Sequence, residues 1–522
     1  MAPAFCCAVV ICAFRAAAQE VPNPQGQSVD RPARPYTISK ETTYFTGPLK
    51  PDGSIDFVAA VNQHFAQGVT PENNAARLIL PLLADEIWKP EYGEQRRCVL
   101  QALGLDPEPH TGKGRFQDFR RYVESNKISD GVVGRQYDDA LGRTWTEQDS
   151  PELARWLDTN REPLGAISQA ATLEKFYVPM VAVGETELLM FVGLDHGLTM
   201  RSLARAYLIR ANLHVAHQRW REAWDDILTI QRLGKLVGQG QTLTDGLLGV
   251  AITGISFDAV KRMIESTNPD SMDWEPLLSS WSTAPIADLG KAMRTSERAM
   301  FIQLACELVD DPDFRIFLVT GQGEMSATIN KLVVSTLQQM LKSSEASLDG
   351  VLRYSNSVYD QMADLSTMED VGARLAATTR FNKEIEEILG RDPDESLLTQ
   401  VLFAKPQDPS HQVATVLLSQ LLPAAETVNY AHWRSRASQQ VVALALAARV
   451  VQSRTGHLPQ SPRELEPFVD DATFIQPASG EPIQMRYDRG TLLIYHWGHN
   501  RQDDGGEIDG EDPKDWGIRL RK

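Results

Sequence analysis

Late in the chain, after a long body that reads almost without exception as helix and connecting loop, the character of the sequence changes. That change limits the fold more than any other feature. Arg454 to Phe468 (RTGHLPQSPRELEPF) closes a long helix, two short strands are expected next, and the chain enters a glycine-punctuated acidic run, Tyr495 to Trp516 (YHWGHNRQDDGGEIDGEDPKDW). The run holds seven carboxylates (Asp503, Asp504, Glu507, Asp509, Glu511, Asp512 and Asp515) with Lys514 as the one lysine among them. Carboxylates this dense repel one another. A hard divalent cation such as calcium offsets the repulsion by gathering six to eight oxygens around one centre, and glycines at 505, 506 and 510 let the backbone wrap it. Local chemistry makes Asp503, Asp504 and Asp509 candidate ligands; the alternative is a solvated acidic loop that binds nothing specifically.

The positions Tyr495, Gly498, Gly505, Gly506, Asp512 and Trp516 follow a long helix and a Leu-Pro-containing segment. In that arrangement the module resembles the globular end of the major pseudopilin of type II secretion systems. The resemblance spans about residues 425–522. It implies a small antiparallel sheet and a calcium ion in the loop, with Asp512 and Asn500 as ligands. Asn500 stands where that family has an aspartate, and the stretch before the glycine pair is longer. An amide oxygen ligates calcium without bringing charge, so affinity falls. The membrane-spanning start of a pseudopilin helix has no counterpart here. The apolar part of the corresponding helix, Val441 to Val451 (VVALALAARVV), is far shorter than the roughly 20 residues a bilayer needs. The module is therefore expected as a terminal domain of borrowed or convergent fold.

At the other end, MAPAFCCAVVICAFRAAAQE reads as a secretory signal, with an apolar stretch from Ala4 to Phe14 ahead of the small residues Ala16, Ala17 and Ala18. The positive n-region is missing and Arg15 follows the apolar core, so an apolar N-terminal tail is the alternative. Residues 19–36 are proline-rich and polar, and read as a linker. Cleavage after Ala18 leaves Cys98 and Cys306, too few for a disulfide framework; both fall in expected helices as small buried thiols, with one bridge between them as the other reading. A net charge of −17 argues against nucleic acid and anionic membrane surfaces as partners. No later segment has the uninterrupted apolar length of a membrane span.

Between these ends the pattern is helical. An extended pair turns at Pro51-Asp52-Gly53. Helix starts are expected at Thr70-Pro71-Glu72, ahead of an apolar-periodic run to Ile87, and at Ser150-Pro151-Glu152. Residues 174–194 are apolar but split by Pro179 and Gly184, and are read as either two buried strands or core helix segments. Residues 198–238 form a helix pair with tetratricopeptide-like spacing (Tyr207, Ala211, Trp220, Ala223, Ile227) and no second copy. The next helix carries Gly246, Gly249, Ala251 and Gly254, a composition that only close packing tolerates. Loops are expected at Pro285, Asp311-Pro312, Gly321 to Gly323, Asp392-Pro393 and Pro406 to Pro409, with an amphipathic stretch at 343–389.

Zinc, nucleophile-elbow, phosphate-loop and Cys-x-x-Cys signatures are missing from the sequence. His214 and His217, close to Trp220, Asp225 and Asp226, are read as structural histidines at a helix end, with a metal or proton-transfer role as the minority reading. Asp195-His196-Gly197 is placed in an exposed loop.

These readings converge on a mainly α, irregular multi-helix domain (37–424, divisible near 270–285) followed by a small α+β domain (425–522). The expected role is that of an exported scaffold or interaction protein in the periplasm or outside the cell, with a calcium-stabilised terminal domain and a protein partner in the envelope. The alternative is a hydrolase of an envelope polymer with an acidic cleft.

Overall fold

The computed structural model describes residues 35–521, apart from 108–113, 184–187, 193–195, 284–285, 311–334, 343–345, 390–407, 422–424, 478, 489, 499 and 511–512. The expected signal peptide and nearly all of the linker lie outside the described residues. So do most of the expected loops at Pro285, Asp311-Pro312, Gly321 to Gly323, Asp392-Pro393 and Pro406 to Pro409. The fold is mainly helical and ends in one three-stranded antiparallel sheet.

The extended pair forms as a bridge between Leu49 and Ile55, closed by Gly53 in the left-handed region at φ 76. The helix expected from Thr70 begins only at Ala76. Thr70 and Asn73 first tie off a turn through reciprocal side-chain to backbone bonds of 2.8 and 3.3 Å. Pro81 inside this helix removes a backbone donor, and the helix breaks at Leu83 before a further turn at Ala84–Ile87. Ser150 and Pro151 open a helix as expected.

Residues 175–183 settle neither as strand nor as helix. They run extended, and side-chain amides take the place of a neighbouring strand. Asn74 donates to the Tyr177 carbonyl and accepts from its N–H, both at 2.9 Å. Asn62 does the same for Met180 at 2.8 and 2.9 Å. Two amides thereby satisfy the backbone groups that burial would otherwise orphan.

The helix pair is α1 (Gly197–Ala216) and α2 (Trp220–Val237), reversed through a link in which Gln218 adopts φ 56. Next comes α3 (Leu243–Ser266), opened by a capping box between Thr242 and Asp245. Its Gly249 packs on the α2 backbone: a Cβ there would lie 2.5 Å from the Gly234 carbonyl oxygen and 2.6 Å from Gly238 Cα. Among the described residues α3 is the one helix long and apolar enough to cross a membrane (mean hydropathy 1.4). Half of that window is buried, and α3 packs against α1, α2 and the C-terminal helix. The amphipathic stretch divides into α4 (Leu348–Thr367) and a helix over Val371–Leu389.

Two hydrophobic cores result. The first runs from Ala75 to Trp281 and takes in the C-terminal module from Val441 to Leu520; the second joins Ile55–Phe65 to Ala287–Leu418. Cys98 and Cys306 are not joined in a disulfide, and Cys98 is only half-buried.

The C-terminal module consists of the long helix α5 (Ala425–Thr455) and strands β1 (Gln484–Asp488), β2 (Thr491–Trp497) and β3 (Asp515–Arg521), in the order β1-β2-β3. Three strands form where two were expected, because the end of the acidic run itself pairs with β2: Leu492 faces Leu520 and Ile494 faces Ile518. The sheet is fastened to α3. Lys261 Nζ donates to the Gly517 carbonyl at 2.8 Å, and the Arg519 N–H donates to Glu265 at 2.9 Å.

Candidate functional sites

The acidic loop closes the open end of the sheet. Its path depends on glycine where the chain comes close to itself: a Cβ on Gly498 would fall on the Lys514 carbonyl oxygen, and Gly505 and Gly506 sit at φ 80 and 77. Each expected ligand has a definite place. Asn500 donates from its amide to Asp504. Asp503 Oδ1 accepts from the Gly505 N–H at 2.9 Å and from the Tyr495 hydroxyl at 3.0 Å. Asp509 is drawn away into an ion pair with Arg519, and Glu507 pairs with Lys514 at 3.2 Å. Asp512 lies outside the described residues. Among the described residues no three His, Cys, Asp or Glu side chains converge as a ligand group.

The residue that sequence reasoning did not single out is Asp515. It begins β3 and is 2% exposed. Its Oδ2 accepts the Gly506 N–H at 2.8 Å, while Oδ1 is buried with no hydrogen-bond partner. Burial, followed by the charges of Asp503 and Asp504, raises its pKa. Its place at a strand start, after Lys514, was the available signal.

In the helical body, His214 and His217 diverge. His217 Nε2 lies 2.7 Å from Glu147 at the surface. His214 turns inward, with Nε2 3.7 Å from an Asp226 carboxylate that Arg210 holds in a fork at 3.0 and 3.2 Å. Burial, aided by Arg219 and Arg210, lowers the His214 pKa to about 4. The pair does not share a ligand position. His196, expected in an exposed loop, is buried at the start of α1, and Asp195 lies outside the described residues.

A cavity of about 510 Å³ opens where the two cores meet. Lys175 on the extended segment, Lys235 near the end of α2, Lys291 and Arg436 on α5 line it, with Phe176 and Tyr177 among the apolar residues. Its carboxylates are Asp288 and Glu369, both exposed. Burial lowers the Lys235 pKa to about 8 and also lowers those of Lys291 and Arg436. No local motif announces this site, because four separate elements supply its cations.

The chain matches no protein-family model, no curated protein and no solved structure.

Proposed function

We propose that the protein is an exported, envelope-associated helical scaffold whose C-terminal module is held closed by calcium at the loop between Tyr495 and Trp516. The observation that supports this most is the buried, unpartnered Oδ1 of Asp515 beneath a loop that carries Asp503 and Asp504. A buried carboxylate oxygen without a donor is costly, and a divalent cation supplies the missing partner while neutralising its acidic neighbours. Asp515 would anchor the ion, with Asn500 beside it and Asp512 contributed by the pseudopilin resemblance. The loop would have to close further to bring Asp503 and Asp504 onto the ion, since among the described residues no three carboxylates converge as the loop stands. Asp509 is left to Arg519. The cationic, aromatic lining of the cavity favours this binding role over a hydrolase built on an acidic cleft, and the N-terminal pattern supports export.

The test is calcium titration of the full chain followed by thermal unfolding. Calcium raises the melting temperature and magnesium does little, because Mg²⁺ demands near-ideal octahedral geometry and dehydrates reluctantly. Asp515→Asn and Asp512→Ala each abolish the gain. An equal response to both ions, or none to either, removes the calcium site. In a bacterium with an intact secretory pathway the mature chain begins near Gln19 and is recovered outside the cytoplasm; retention of residues 1–18 in the cytoplasm removes the exported role.

A further inference from the structure

The cavity between the cores is a place where positive charge has been gathered in excess of negative charge. The chain as a whole carries −17, yet four cationic side chains line this one space against two carboxylates. The two carboxylates offset them only in part: the charge of Asp288 acts on Lys291 and that of Glu369 on Arg436. Asp288 uses Oδ1 to cap the short helix Leu289–Ala292 through the Lys291 N–H at 2.9 Å, and both acids stand at the exposed margin. Among the described residues Lys175, Lys235, Lys291 and Arg436 make no ion pair within 4 Å.

What does hold these cations is neutral. Lys235 donates to the Ser282 hydroxyl. The Lys291 ammonium sits 4.5 Å from the centre of the Phe65 ring. Arg436 lies 5.1 Å from the centre of the Trp433 ring, and Arg374 stacks on the same ring at 3.8 Å. Cation–π contacts and hydroxyls orient a cation without cancelling its charge. Keeping several half-buried cations together costs free energy unless an anion joins them, and Lys175 and Lys291 are close enough to repel one another.

We infer that this cavity is a binding site for a small phosphomonoester dianion carrying an apolar or aromatic body. The excess of two positive charges matches a phosphate monoester in charge. Ammonium groups suit phosphate as point charges, and a guanidinium can grip it through two parallel hydrogen bonds. Phe176 and Tyr177 supply the wall for the apolar part. A volume of about 510 Å³ falls within the range of small-molecule sites. This site is separate from the acidic loop and stands or falls independently of calcium.

Equilibrium dialysis of the full chain against phenyl phosphate tests it, with inorganic phosphate, phenol and succinate compared at matched ionic strength. Phenyl phosphate binds saturably and more tightly than inorganic phosphate, and phenol does not bind. Lys235→Met and Lys291→Met each weaken binding about tenfold or more, as expected for a lost hydrogen bond to a charged group. Lys89→Met, at an exposed position, changes nothing. Both cavity variants melt no lower than the wild type without ligand, because each removes one cation from a lining with more positive than negative charge; this separates loss of binding from loss of fold. The inference is overturned by undiminished binding in both variants, by no saturable binding at millimolar phenyl phosphate, or by tighter binding of succinate than of phenyl phosphate.

Discussion

Arg449, near the end of the most apolar stretch of α5, donates from Nη2 to the backbone carbonyl of Ile264 at 2.7 Å. It is 2% exposed, and its other terminal nitrogen reaches Gln452 Oε1 at 2.6 Å and the Arg521 carbonyl at 3.1 Å. One guanidinium thus ties α5 to the end of α3 and to the last residue of β3. The stretch Val441 to Val451 is apolar because helices and sheet surround it, and Arg449 satisfies the carbonyls at the two ends it joins.

Replacing that guanidinium with an apolar side chain of similar length leaves the Ile264 carbonyl and the Gln452 amide oxygen without this donor, and the Arg521 carbonyl with only the 3.4 Å contact from Gln452 Nε2. Arg449→Met should lose about 3 kcal/mol, read as a lower denaturant midpoint. Because the contacts bridge α3, α5 and β3, the sheet and the α1–α3 helices should lose structure together when followed by separate probes.

Two glycines of α3 give opposite expectations. A Cβ at Gly249 would meet the backbone of α2, whereas nothing lies within 4 Å of the Cβ position at Gly254. Gly249→Ala should destabilise by about 1–3 kcal/mol through forced backbone shifts. Gly254→Ala should be neutral or stabilise by up to about 1 kcal/mol through helix propensity. Thermal unfolding of the two variants beside the wild type decides it, and equal effects would refute the close approach of α2 and α3.

His432 and His496 are buried and neutral. Burial, with nearby arginines, lowers both pKa values from 6.5 to about 4. The bonding of His496 agrees with this: Nδ1 donates to the Trp497 carbonyl at 2.6 Å, which leaves Nε2 to accept from the Ser438 hydroxyl at 2.8 Å. Between pH 6.5 and 4 the unfolded chain takes up protons that the folded chain refuses. The stability present above pH 6.5 is therefore lost as pH falls, by at most about 1.4 kcal/mol per pH unit for each histidine. Melting temperatures at pH 7 and pH 5 should fall further apart in the wild type than in a His432→Gln, His496→Gln double variant.

What the sequence discloses is local, and what it withholds is tertiary. The capping pair at Thr242 and Asp245, the turn at Gly53 and the start at Ser150-Pro151 are legible because each acts within a few residues. The glycines of α3 announce a close approach but not which glycine makes it: Gly249 touches α2 and Gly254 faces open space. β3 carries a readable alternation, Ile518 and Leu520 inward against Arg519 and Arg521, yet it begins inside the acidic run and is masked by it. The burial of Asp515 and the meeting of Lys175, Lys235, Lys291 and Arg436 depend on elements far apart in the chain, and no window of sequence contains them.

The pair formed by Arg210 and Asp226 offers a test of whether the α1–α2 histidines are structural. Asp226 is 3% exposed and receives Arg210 in a fork, with His214 Nε2 3.7 Å from its second oxygen. Removing only the arginine leaves a buried carboxylate without its main partner, so Arg210→Met should cost about 3–5 kcal/mol. Replacing both, as Arg210→Met with Asp226→Leu, should recover most of that loss, because the desolvation penalty disappears together with the attraction. In the single variant His214 also loses a repelling guanidinium and becomes the nearest cation available to Asp226. Its pKa should therefore rise from about 4 toward the ordinary histidine range, visible in the imidazole resonances followed through a pH titration. A His214 that still titrates near pH 4 beside an unpaired Asp226 would mean that burial alone sets its charge, and that Asp226 is held by other groups.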